Sequence, residues 1–427
     1  MRWITLGFLF LLFTINYADK SIAGFAAVKI SEEFGISPVQ WGLVGSSFFV
    51  SFVIASVFGS SLVGFFGTKK MLAFMALTWS ILQLGAFAIT SFPMLIAYRI
   101  LLGVFEGPFF AVVITHLYKW FPPESRGKAT AILNFGSPFG SLVCAPALVY
   151  MIQHYGWKVS FASLGILSLV WLIFWVWLGK EHPENSAEEI NIVKEKTPVK
   201  QKVRFSEISL ALVSRIFILT TFVAFTCYWL ISWLQVWMPS YLTQALKVSP
   251  TQMGYISAII GLGAGLVTFS ISSLSDYLYK KSSSYKKSHV MVIGLSILTG
   301  AILFYSITEV HYIAWVTFVL LVVKGLFSSV SALGPAIINR LAPDRTALMI
   351  GIYTALQTMA GVIAPIVSGS LIQKAGSDIV LGYNYSVLMI VALGVVFSSL
   401  FLIIVNPDKL KKKKTTSVDK DSENVVV

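Results

Sequence analysis

Charge is scarce in this sequence: Asp, Glu, Lys and Arg make up 12% of its 427 residues, against about 25% in a soluble domain. That alone excludes an ordinary water-soluble enzyme or binding module. Cysteine is almost absent; Cys144 and Cys227 both lie in apolar runs, so neither a disulfide framework nor a thiolate metal site follows. The histidines His116, His154, His182, His289 and His311 are scattered without metal-ligand spacing. No glycine-rich phosphate loop, HExxH or Ser/His/Asp constellation is visible, so ATP-driven transport, intramembrane catalysis and a bound cofactor or metal have no support. Acidic residues are the scarcer charge, 19 against 32 basic ones. The resulting net charge of +13 would suggest nucleic acid in a soluble protein; in so apolar a chain it marks basic cytoplasmic loops instead.

What remains is hydrophobic: 56% of the residues, with a mean hydropathy of +0.79. The apolar runs are long and do not alternate, which predicts an all-α polytopic membrane protein rather than a barrel. At about 20 apolar residues per span, the chain holds about twelve: Trp3–Ala23, Gln40–Phe66, Met71–Ser91, Phe92–Tyr118, Arg126–Gln153, Val159–Leu178, Ser214–Leu242, Thr251–Leu274, Ser288–Ile307, Tyr312–Ile338, Thr346–Ile372 and Tyr383–Val405. The first contains Asn16, Asp19 and Lys20 and lacks a small-residue cleavage pattern, so it reads as a retained span and not a signal peptide.

One long polar stretch divides the runs, six on each side. The expected organisation is a six-helix bundle over residues 1–180, a cytoplasmic linker over 181–207, a second bundle over 208–406 and a basic tail over 407–427 without fixed structure. Lysine and arginine gather on one side, at Lys69, Lys70, Lys119, Arg126, Lys128, Lys280, Lys281, Arg340, Arg345 and the tail. That asymmetry puts both termini in the cytoplasm. The absence of a long glycosylated outside loop favours a bacterial plasma membrane.

The halves repeat. Pro123 and Pro343, each followed by an acidic residue and soon by an arginine, are 220 positions apart. Ala145-Pro146 and Ala364-Pro365 are 219 apart. Duplicated halves with a site between them near mid-membrane are a transporter pattern.

Charges inside the runs are the functional candidates, because intramembrane ionisable groups usually mark substrate or proton paths. Arg99 and Glu106, seven positions apart in the fourth run, fall on one helix face at about 3.6 residues per turn. Asp19 and Lys20 are adjacent and point about 100° apart, so their partners are expected on another helix, with Arg99 and Glu106 available. The four sum to zero, as a low-dielectric cavity requires. Burial favours a neutral carboxyl and a neighbouring cation favours the charged one, so Asp19 and Glu106 can exchange protons. Lys20 and Arg99 can offer charge-assisted hydrogen bonds to an anion. A static charge cluster locking two helices is the structural alternative.

The segment Ser272–Lys281 after the eighth run resembles the loop signature of the major facilitator superfamily, Gly-x-Leu-x-Asp-Arg-x-Gly-Arg-Lys. The resemblance implies that Asp276 helps latch a cytoplasmic gate; the first-half copy, Gly59–Lys70, has Gly64 and Phe65 at the charged positions. Asn16-Tyr17-Ala18-Asp19-Lys20, Glu32–Ile36, Arg99…Gly103-x-x-Glu106-Gly107 and Trp120-Phe121-Pro122 together resemble the anion:cation symporter family, over nearly the whole chain. That family includes carriers of galactonate, hexuronates, glucarate and tartrate. By resemblance Asp19 and Glu106 are the protonatable carboxylates, Arg99 and Lys20 the anion-binding cations, and Tyr17 a substrate contact. Lys20 stands where many members have arginine, Phe52 where galactonate-type carriers have tyrosine, and Ser137 where they have glutamine. Gly334, Pro335 and Ala355 align with polar contacts. Fewer hydrogen-bond partners predict a smaller or less hydroxylated anion.

Further candidates are open on the residues alone. Asn134 and Ser137 in the fifth run either line a cavity or pack. Lys324 in the tenth either binds substrate or snorkels to the surface. Tyr353 and Gln357, four apart on the eleventh, either face substrate or join two helices. The reading is a monomeric secondary transporter, a proton symporter of a small organic anion working by alternating access. A facilitator or exchanger, or a non-transporting receptor or channel, is the alternative.

Overall fold

The computed structural model describes residues 1–59, 66–181, 210–341 and 346–409. Among these the regular structure is helical, and 12 helices are long and apolar enough to cross a membrane. In chain order they are α1 (Arg2–Phe34), α2 (Pro38–Phe58), α3 (Thr68–Ala88), α4 (Phe92–Trp120), α5 (Glu124–Tyr155) and α6 (Trp157–Leu178). The second set is α7 (Arg215–Val236), α8 (Pro250–Ser282), α9 (Lys286–Thr308), α10 (Ile313–Leu341), α11 (Leu348–Lys374) and α12 (Ile379–Ile404).

Several boundaries run past the apolar runs. Helix α1 continues beyond Ala23 to Phe34 and stops where Gly35 takes the left-handed conformation, φ 61°, which glycine adopts without strain. Its polar last turns are tied down: Glu33 pairs with Lys158 at 3.1 Å and accepts from the Trp157 indole at 2.5 Å. Helix α8 likewise runs to Ser282, so Asp276, read as a loop residue, is helical. The sequence positions Gly64, Phe65, Pro343 and Arg345 lie outside the described residues, as do most of the linker and most of the tail.

Each set of six packs alike. Helix α1 lies on α5, α2 on α4 and α3 on α6; correspondingly α7 lies on α11, α8 on α10 and α9 on α12. The sets meet along α2 against α11 and α5 against α8, again equivalent pairs. A sequence repeat underlies these contacts. Ser37-Pro38-x-Gln40-x-Gly42 opens α2 and Ser249-Pro250-x-Gln252-x-Gly254 opens α8, 212 positions later. Both serines cap their helix: Gln40 N–H donates to the Ser37 hydroxyl at 3.4 Å and Gln252 N–H to that of Ser249 at 3.3 Å. Both glycines then face a proline of the opposite set. A Cβ on Gly42 would lie 2.8 Å from the Pro365 carbonyl carbon, and one on Gly254 would lie 3.2 Å from Pro146 Cα. The Ala-Pro repeat therefore forms the seam between the halves, at the end bearing the α1–α2 turn.

At the other end two carboxylates act as staples. Glu181, just past α6, accepts from the Thr68 hydroxyl at 2.7 Å, the Lys69 amide at 2.6 Å and the Lys119 ammonium at 2.6 Å. It thus caps the start of α3 and ties it to the end of α4. Asp408, just past α12, accepts from the Ser284 hydroxyl at 2.6 Å and the amides of Tyr285 and Lys286 at 3.0 and 3.1 Å. It also meets Arg340 at 3.7 Å. Pro407 and Asp408, read as the start of a structureless tail, belong to the bundle for this reason.

Candidate functional site

The fourth helix breaks where its charge sits. Pro108 has no N–H to donate and its ring crowds the preceding turn, so the helical run Phe92–Glu106 ends and a new one starts at Phe109. Helix α5 is interrupted at Phe135, between Asn134 and Ser137. Interrupted spans at mid-membrane are where transporters place their sites. Gly103 and Gly107 bring α4 onto α2: a Cβ at Gly107 would lie 2.6 Å from the Phe52 carbonyl oxygen and 2.7 Å from the Ser56 nitrogen. This is the small-xxx-small contact expected between membrane helices.

Between the halves lies a cavity of about 360 Å³. From the first half Asn16, Tyr17, Lys20 and Ser137 line it; from the second come Tyr228, Gln235, Ser257, Lys324 and Ser328. Of the sequence candidates, Tyr17, Lys20, Ser137 and Lys324 are brought together here. Asn134, Tyr353 and Gln357 are not among the lining residues. Asn134 is exposed. Tyr353 is 1% exposed and packs over Gly334, where a Cβ would collide with its hydroxyl. Sequence reasoning passed over Tyr228 and Gln235. Gln235 carried a signal, a lone amide in an apolar run; Tyr228 is one aromatic among many there.

Glu106 is 1% exposed. Its Oε2 accepts from the Asn16 amide at 2.8 Å and faces the Lys20 ammonium at 3.6 Å. Lys20 also lies 4.8 Å above the Phe52 ring, where a cation is attracted to the π face. Asp19, wholly buried, turns the other way. Among the described residues no cation lies within ion-pair distance of it. Its partner is the Gln83 amide of α3, at 2.8 Å, and Gln83 in turn accepts from the Tyr98 hydroxyl at 2.9 Å. The expectation that Asp19 would find a cation on a neighbouring helix is thus replaced by a neutral relay to α3 and α4.

Arg99 is 4% exposed and forms no ion pair with either carboxylate among the described residues. Its guanidinium lies 4.5 Å over the Phe48 ring, and its Nε reaches the Val44 carbonyl at 3.5 Å. It lines a small void next to the main cavity, shared with Lys20, Phe48 and Gln235. Asp19 Oδ2, Arg99 Nη1 and Glu106 Oε1 are buried without hydrogen-bond partners among the described residues. Unsatisfied buried atoms of ionisable groups are costly. Asp276 is exposed and has no ion pair among the described residues.

The family model of the Major Facilitator Superfamily matches residues 9–308 and again 220–424. The chain belongs to the Major Facilitator Superfamily. It is a multi-pass membrane transporter, and no enzyme. The hexuronate transporter of Bacillus subtilis (strain 168) is 29% identical over 380 residues, 87% of this chain and 88% of that protein. The probable galactarate/D-glucarate transporter GudP of the same strain is 25% identical over 446 residues, 99% of this chain and 95% of that protein. Relatives of this kind bear out the anion:cation symporter resemblance carried by Asn16–Lys20 and Arg99–Gly107. A bacterial homologue of the human lysosomal transporter Spinster, solved in an inward-facing occupied conformation, superposes with a TM-score of 0.78 over 94% of this chain and 96% of that one, at 14% identity. That match shows the superfamily fold, two bundles of six helices.

Proposed function

We propose that this superfamily member carries a small organic anion, a carboxylate or sugar acid, in symport with protons across the cell membrane. Bundles 1–180 and 208–406 rock about the central cavity, with both termini cytoplasmic. The relatives that transport hexuronates and galactarate or glucarate support the substrate class. One observation carries the coupling: Glu106 holds Lys20 at the cavity wall through a single oxygen. While Glu106 is charged, Lys20 is engaged. A proton on Glu106 releases Lys20 to an incoming carboxylate, so proton and anion load together. Arg99, behind Phe48, supplies the local positive field, and Tyr17 and Ser137 offer hydrogen bonds. Asp19, joined to Gln83 and Tyr98, is a second proton site. Basic loops mark the stapled end as cytoplasmic, and the closely packed Gly42–Pro365 seam lies at the other; the cavity then faces inward, with the Asp276 latch undone.

The test is uptake into proteoliposomes with and without an imposed proton gradient. The native protein accumulates a sugar acid against its gradient only when protons flow inward. Glu106→Gln keeps the Asn16 contact and frees Lys20, so it exchanges the acid between compartments but no longer concentrates it. Gradient-driven accumulation by that variant refutes the assignment.

A further inference from the structure

We propose that the cavity selects a dianion, with Lys324 receiving the acidic group at the end remote from Lys20; this rests on the anion-carrier reading above. Lys324 sits within α10, eleven residues from its start at Ile313, about 17 Å along the helix at 1.5 Å per residue. It does not snorkel to the surface but lines the cavity, on the half opposite Lys20. Among the described residues no carboxylate lies within ion-pair distance of it. Ser328, one turn on, lines the same wall, as do Gln235 and Tyr228.

Charge bookkeeping then favours two acidic groups. Lys20, Arg99 and Lys324 against Asp19 and Glu106 leave one uncompensated positive charge around the cavity when all are ionised. A monoanion cancels it without any proton. A dianion overshoots by one, and a single proton on Glu106 restores neutrality. A neutral loaded site is the form that can be closed off from water at least cost, so dianion plus proton is the combination that couples. The volume, about 360 Å³, is at the low end of the range of about 300–1,000 Å³ for small-molecule sites, which suits a short diacid.

The experiment uses acid pairs that differ at one end only: galactarate with galactonate, and succinate with succinamate. Binding to the full-length purified protein is measured by calorimetry, for the native chain, Lys324→Met and Lys324→Arg. The native protein should bind the diacid of at least one pair more tightly than its monoacid. Lys324→Met should weaken that diacid by about ten- to a hundredfold, the worth of a hydrogen bond to a charged group, weaken the monoacid less because it loses a distant charge and no contact, and so narrow the preference. Lys324→Arg should retain most of it. Equal binding of diacid and monoacid by the native protein overturns the proposal alone, and so does an equal loss of both in Lys324→Met. Binding of none of the four acids overturns the anion-carrier reading with it.

Discussion

Asp19 shows how a buried carboxyl can be held with no cation at ion-pair distance among the described residues. It is wholly buried, yet its one bonded oxygen takes a neutral amide from Gln83, which Tyr98 orients. Removing the donor should cost more than removing the orienting hydroxyl. Gln83→Leu strands both Asp19 oxygens and should lower stability by about 1–3 kcal/mol, whereas Tyr98→Phe should cost about 0.5–1.5 kcal/mol. Thermal unfolding in detergent measures both. In an Asp19→Leu background the Gln83→Leu penalty should shrink, because the buried acceptor is gone; a penalty of undiminished size would mean Gln83 acts through packing alone. The charged members of this site were legible in the sequence because ionisable residues stand out in apolar helices. Which of them pair was not: the ion pair Lys20–Glu106 and the neutral Asp19–Gln83 pair depend on helix rotation and neighbour identity. Tyr353 and Gln357 share the same spacing logic as Arg99 and Glu106, but α11 turns the Tyr353 side chain to Gly334 and not to the cavity.

At the scale of the helix, Gly107 and Glu181 each fix one element against another. A side chain at Gly107 meets backbone of α2, which cannot retreat as a flexible side chain would. Gly107→Val should therefore cost about 1–3 kcal/mol by overpacking and displace the neighbouring Glu106, so both thermal stability and coupled uptake should fall. Retained uptake would mean that Glu106 needs no exact placement. The Glu181 staple predicts a pH dependence. Partial burial alone would raise its pKa, but donation from Lys119, Thr68 and the Lys69 amide outweighs this and holds the carboxyl at about 2, against an ordinary 4.5. A carboxyl depressed on folding contributes stability that is fully present above its unfolded value and is lost as pH falls toward the folded one. The stability gap between the native protein and Glu181→Gln should thus be constant near neutrality and close between about pH 5 and 2. A gap that does not narrow on acidification would show that the contact is not ionic.

Across the whole molecule the twelve spans and their division into sixes could be read from hydropathy and from one long polar interval. The repeat was legible too, though incompletely. The Ala-Pro and Pro-acid-Arg matches are short. The stronger pair, Ser37–Gly42 and Ser249–Gly254, is obscured because polar capping residues at helix starts look like ordinary loops. The structure gives that repeat its purpose: each copy starts a helix and presents a glycine to the proline of the opposite half. In the proposed alternating-access cycle this seam opens and recloses, and reclosure needs a bare Cα. Gly42 is the tighter of the two: a Cβ there would stand 2.8 Å from the Pro365 carbonyl carbon and 3.0 Å from the Ile366 Cα. Gly42→Val should leave each bundle folded but hold the seam apart, and Gly254→Val should do so less. In a chain whose Cys144 and Cys227 are replaced, Ser21→Cys places a thiol in the cavity wall. An impermeant maleimide added at the seam side should label it faster by about tenfold or more once Gly42→Val is present, a shift of roughly 1.4 kcal/mol in the equilibrium between the two states. Unchanged labelling, with Gly42→Val still folded, would place the moving boundary somewhere other than the glycine–proline seam.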